Sequence, residues 1–126
     1  MSMKITGMNE IKNRLKTLGE KGEQVANKAL KVGAEILKSE IEKEIRTKKL
    51  ISDYDKKHLV DYIIISKIVD GEIEVGPAHS FFYALFLEFG TVRQKATPFM
   101  EPAFLRVKDK IQVEMRKVIR RELGLS

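Results

Sequence analysis

Tyr62-Ile63-Ile64-Ile65-Ser66-Lys67-Ile68-Val69-Asp70-Gly71-Glu72-Ile73-Glu74-Val75 is the stretch on which the fold turns. β-Branched residues crowd its first half, which reads as a strand. Asp70-Gly71 is a strong hairpin signal, because a type I′ turn needs positive φ at both central residues and these two tolerate it. With those two as the turn, Val69 faces Glu72, Ile68 faces Ile73 and Lys67 faces Glu74 across the ladder. That register puts Ile64, Ile68, Ile73 and Val75 on one face and Ile63, Ile65 and Val69 on the other. The second face is too apolar for water alone, so either a helix of the same chain or a neighbouring subunit is expected to cover it.

N-terminal to the hairpin, residues 4 to 6 read as a short strand. Asn9 then caps a short helix with Ile11, Leu15 and Leu18 at helical spacing, ended by Gly19. Between Glu20 and Ile45 the apolar residues Val25, Ala29, Val32, Ile36 and Ile45, widened by Leu37 and Ile41, predict a long amphipathic helix. Gly33 inside it costs about 1 kcal/mol against Ala, which either close packing or simple tolerance explains. Thr47 to Lys57 is charged and without period, and reads as a loop.

C-terminal to the hairpin, Ser80-Phe81-Phe82-Tyr83-Ala84-Leu85-Phe86-Leu87-Glu88-Phe89-Gly90 is the densest aromatic cluster. Period alone does not separate helix from strand in so short an apolar run. Ser80 as a cap and Gly90 just past the end favour a helix. The loop Thr91 to Ala96 carries Arg93 and Lys95. Thr97-Pro98 follows as a cap with proline at the first helical position. A last helix is expected there, with Phe99, Ala103, Val107, Ile111 and Met115 stepping by four, Phe104, Val118 and Ile119 beside them, and Gly124 as its stop.

The 126 residues, 43% hydrophobic and 33% charged, suit one compact domain spanning 1–126 and argue against disorder. No internal repeat is visible. With no cysteine there is no disulfide, thiolate nucleophile or cysteine zinc site. No run of about 18 apolar residues occurs and the N-terminus leads into no signal-like stretch, so neither secretion nor a membrane partner is expected. A net charge of +6 favours encounter with polyanions, but the positive residues are spread among glutamates.

Little here points to catalysis. His58 and His79 sit in no metal-ligand spacing, and His79-Ser80 with Asp70 lacks the GxSxG elbow and the chain order of known triads. Gly71 and Gly76 lack the context of a phosphate loop. No catalytic residue, metal or cofactor is therefore assigned. Glu88, flanked by Leu87 and Phe89, must reach solvent or find a partner if buried, with Arg93 or Lys95 as candidates. Arg116, Lys117, Arg120 and Arg121 complement the dipole at the end of the last helix, or present a phosphate-binding surface.

Tyr83-Ala84-Leu85-Phe86-Leu87-Glu88-Phe89-Gly90-Thr91, followed by Pro98-Phe99-Met100-Glu101-Pro102-Ala103, resembles the YAxxxEfGT…PFxxPA signature of a siphophage family. This is the lambda-like tail-component group typed by the tenth gene product of a coliphage, with members identified as tail, neck or head–tail joining proteins. Its layout of N-terminal helices, β-hairpin and C-terminal helix is similar to the order derived above. Where many members carry a Thr-Gly-x-Leu-x-x-Ser-Ile type stretch, this chain has Lys57-His58-Leu59-Val60-Asp61-Tyr62-Ile63 and keeps only the apolar positions.

The resemblance implies a non-enzymatic protein that self-assembles as a ring about the DNA channel. It would act in the virion at the head–tail junction, and in the host cytoplasm during assembly. Its partners would be head–tail connector and tail proteins, with weak contact to DNA. Tyr83, Glu88, Phe89, Gly90, Thr91, Arg93, Lys95, Pro98 and Phe99 are the expected interface and motif residues, although core packing explains the aromatics equally well. The expected fold is α+β, with a long N-terminal helix and a C-terminal helix on a small antiparallel sheet that contains the hairpin. The alternative function is a basic, non-enzymatic nucleic-acid-binding protein.

Overall fold

The computed structural model describes residues 2–6, 13, 15–50, 59–81, 83–93 and 95–124. Its elements are β1 (Met3–Thr6), α1 (Glu20–Thr47), β2 (Ile63–Ile65), β3 (Glu72–Pro77), α2 (Tyr83–Phe89) and α3 (Met100–Glu122), with 3₁₀ turns at Leu59–Tyr62 and His79–Phe81. The architecture is α+β, as expected. Of the short helix from Asn9, only its end lies within the described residues. There Leu15 is buried, and the N–H groups of Leu18 and Gly19 donate to the carbonyls of Leu15 and Lys16. The loop from Thr47 to Lys57 lies mostly outside them.

The hairpin turn forms as its two residues dictate. Asp70 and Gly71 have φ of 53° and 74°, and Val69 and Glu72 exchange both backbone hydrogen bonds at 3.0 Å. Beyond that pair the register departs from the expected one. Ile65 lies opposite Val75, Ile64 opposite Gly76 and Ile63 opposite Pro77, so residues 66 to 68 face only Ile73 and Glu74. This is a β-bulge. Ser66 closes it: its N–H donates to the Glu74 carbonyl and its hydroxyl accepts from the Glu74 N–H, both at 2.9 Å.

The extra residue exchanges the faces of β2. Ile63 is buried, as are Ile73 and Val75, whereas Ile64 is 47% exposed. The expected placement of Ile64 on the core face is thus corrected, and so is the excess of apolar residues on the other face. β1 pairs antiparallel with β3, Lys4 opposite Glu74 and Ile5 opposite Ile73, giving the strand order β1-β3-β2. The outer face then carries Lys4, Glu72 and Glu74, with Lys4 Nζ 3.6 and 3.9 Å from the two carboxylates. The face that carries Ile63 and Ile65 is covered by a helix of the same chain, whereas Ile64 and Val69 are left exposed on the outer face.

α1 lies on the inner face of the sheet and packs along α3. Leu30, Leu37, Ile41 and Ile45 are its largest fully buried side chains, with the small Ala34 buried among them. Val32 and Ile36, expected in the centre of the stripe, are half-buried and line a shallow groove with Val107. α3 runs antiparallel to α1: Lys28 pairs with Glu122 at one end and Glu40 with Arg106 towards the other. Between them Gly33 permits the close approach, since a Cβ there would lie 3.1 Å from Met115 Sδ and 3.2 Å from Ile111 Cγ2. Close packing explains this glycine. Phe99, Ala103, Val107, Ile111, Met115 and Val118 form the buried face of α3, as their spacing predicts.

Candidate functional site

α2 divides its side chains cleanly. Ala84 and Glu88, one turn apart, are buried, while Leu85, Phe86 and Phe89 share the opposite face and are exposed. Gly90, at φ 76°, ends the helix, its N–H donating to the Phe86 carbonyl at 2.8 Å. Helix is therefore the correct reading of the aromatic segment. Ser80 lies in the preceding 3₁₀ turn rather than at the cap, because α2 starts at Tyr83. The side chain of Tyr83 lies outside the described ones.

Glu88 is 7% exposed, and its carboxylate reaches across to the start of α3. Oε1 accepts from the N–H of Phe99 (3.1 Å) and of Met100 (2.9 Å), and Oε2 from that of Glu101 (3.2 Å). A helix leaves its first N–H groups without intrahelical partners, and its N-terminus carries partial positive charge. A buried carboxylate there is doubly matched, by hydrogen bonds and by the dipole. The expected partners Arg93 and Lys95 are corrected by this geometry, as is the solvent-facing alternative. So is the expected cap at Thr97-Pro98: α3 starts later, with Phe99 at its N-cap position and no bond from that side chain.

The clamp fixes the loop between the two helices. The Thr97 N–H donates to the Leu87 carbonyl at 2.7 Å, and Lys48 Nζ at the end of α1 donates to the Pro98 carbonyl. Lys48 also pairs with Glu44 at 3.1 Å, and Glu44 with Arg106 on α3. Burial disfavours the charged form of Glu44, yet hydrogen bonds and ion pairing to Lys48 and Arg106 outweigh it and hold its carboxyl below the usual range. Phe99 is fully buried and belongs to the core.

Between these anchors the loop faces solvent. Thr91, Val92, Arg93, Lys95 and Ala96 are exposed, with the Thr91 hydroxyl accepting from the Arg93 N–H at 3.2 Å. Among the described residues neither Arg93 nor Lys95 has a carboxylate within ion-pair distance. Leu85, Phe86, the 69% exposed Phe89 and the fully exposed Val92 make an apolar patch beside these two charges. Sequence reasoning named Phe89, Arg93 and Lys95 but missed Leu85, Phe86 and Val92. The helical period of α2, once Glu88 is placed inward, identifies the first two.

The remaining candidates lie elsewhere. Arg116, Lys117, Arg120 and Arg121 are exposed on the last turns of α3, with Lys117 paired to Glu114 at 3.3 Å. Open grooves of about 520 and 500 Å³ flank Ile68 beside α1. Among the described residues no cluster of His, Asp and Glu is arranged to hold a metal ion, and no helix is long and apolar enough to cross a membrane.

A family model described as "Bacteriophage HK97-gp10, putative tail-component" matches residues 9–90. The match ends just after Glu88, and the amides that Glu88 holds lie beyond it. No curated protein and no solved structure matches the chain.

Proposed function

The chain belongs to the bacteriophage HK97-gp10 tail-component family, and from that premise we propose that it joins head to tail by assembling with copies of itself and with neighbouring connector and tail proteins. Membership makes it a structural component of the virion that interacts with other phage structural proteins. The observation that carries the finer reading is the α2 patch. Four apolar side chains, Leu85, Phe86, Phe89 and Val92, stand exposed on a segment anchored at both ends. A grouped apolar surface with a charged rim marks an interaction site, and a rigid one loses little entropy on docking.

In this reading Glu88, Gly90, Thr91, Pro98 and Phe99 shape and hold the segment, while Phe89, Arg93 and Lys95 make contact, and Tyr83 counts as a motif residue only. Copies associate head to tail and close into a ring. The basic end of α3 offers passing DNA a weak phosphate contact. In this reading residues 1–126 form a single domain.

The test is to mix the purified chain with tailless capsids and free tails of the parent phage and to count joined particles by electron microscopy. Phe89→Asp and Val92→Asp lie on the surface and leave the core intact. Joining that depends on the chain and fails with these variants supports the proposal. Equal joining without the chain refutes it. Tight, salt-sensitive binding of duplex DNA by the free chain would instead favour a nucleic-acid-binding role.

A further inference from the structure

The patch on α2 has a definite chemistry: apolar side chains flanked by two unneutralised cations. Another surface of the same chain answers it. On the outer face of the sheet, Ile64 and Val69 are exposed large hydrophobics, and the register places Glu72 opposite Val69 and Glu74 opposite Lys4 on that side. Among the described residues Lys4 is the one cation paired to these carboxylates, by exposed contacts of 3.6 and 3.9 Å worth little in water. Two carboxylates against one lysine leave this strip of the face negative.

We infer that the α2 patch of one copy docks on the outer sheet face of the next. Phe89 and Val92 meet Ile64 and Val69, and Arg93 and Lys95 meet Glu72 and Glu74. The inference rests on the self-assembly reading above and adds which two surfaces join. Its chemical basis is complementarity of sign combined with apolar area on both sides, which gives register and specificity as well as affinity. The bulge at Ser66 is a precondition: without it Ile64 would point into the core and this face would lose its apolar centre. Because the two surfaces differ, one copy of a pair keeps its sheet face free and the other its α2 patch, and the contact propagates.

The chain has no cysteine, so engineered thiols report the contact directly. Val69→Cys/Val92→Cys protein, mildly oxidised alone and within joined particles, is expected to give a ladder of covalent oligomers on a non-reducing gel. Arg93→Glu/Lys95→Glu added to it should reduce the ladder about tenfold or more, and Glu72→Lys/Glu74→Lys likewise, while an equal mixture of the two charge-reversed proteins restores it. Circular dichroism checks that each variant is folded. Self-association of the unmodified chain by light scattering, without a ladder or with one indifferent to charge reversal, overturns this pairing and leaves self-assembly standing. Absence of both self-association and ladder, free and in particles, overturns both.

Discussion

Glu88 shows what one side chain does in this molecule. It takes up the first amides of α3 while sitting on α2, so it joins two helices and sets the loop between them. Glu88→Gln keeps one acceptor oxygen but loses the charge that suits the dipole, and is expected to cost about 1 kcal/mol. Glu88→Ala strands the amides and should cost about 2–4 kcal/mol. Thermal melts give the ranking, and hydrogen exchange should speed up at Phe99, Met100 and Glu101 in both; unchanged exchange there would refute the clamp. Its importance was legible in sequence, because a carboxylate between Leu87 and Phe89 invites the question of a partner. The partner was not, since backbone amides at a helix start carry no sequence label and Thr97-Pro98 imitates a cap. Glu44 makes the second prediction at this scale. Its carboxyl is held below the ordinary glutamate value of 4.5, so its contribution is whole above that value and disappears as pH falls through the lower, folded one. Glu44→Gln should therefore cost about 1–2 kcal/mol in urea melts near neutral pH, and progressively less as pH is lowered below the ordinary glutamate value.

Among the elements, turns and long helices were the legible parts and the bulge was not. Asp70-Gly71 announces its positive φ values, and the four-residue steps from Phe99 to Met115 announce the buried face of α3. Ile63-Ile64-Ile65 has no alternation, so the pleat has nothing to read and either face fits until Ser66 adds its extra residue. The end of α1 holds a further test. Lys49 stands at φ 54°, with its N–H on the Arg46 carbonyl and that of Leu50 on the Ile45 carbonyl. This pair of bonds makes a cap that favours glycine. Lys49→Gly should raise stability by up to about 1 kcal/mol, read as a higher Tm. At Gly33 the cost depends on size. Alanine gains helix propensity and asks only Met115 and Ile111 to shift, so it should fall within about 1 kcal/mol of the parent, whereas Gly33→Val should cost about 2–3 kcal/mol by forcing α1 and α3 apart.

At the scale of the whole molecule, the helices and sheet build a frame whose anchored segment faces outward. Its aromatic content was visible from the start, but the division into a buried Ala84/Glu88 side and an exposed Leu85/Phe86/Phe89 side required α2 to be placed on α3. The same placement leaves Val92, Arg93 and Lys95 exposed to solvent next to that side, where the proposed assembly contact is made. Hydrogen exchange of the chain, free and within joined particles, tests this claim most directly. Slowed exchange concentrated in residues 85–95 on assembly is the expected result. Unchanged exchange in that segment, with protection arising only elsewhere, would contradict the account.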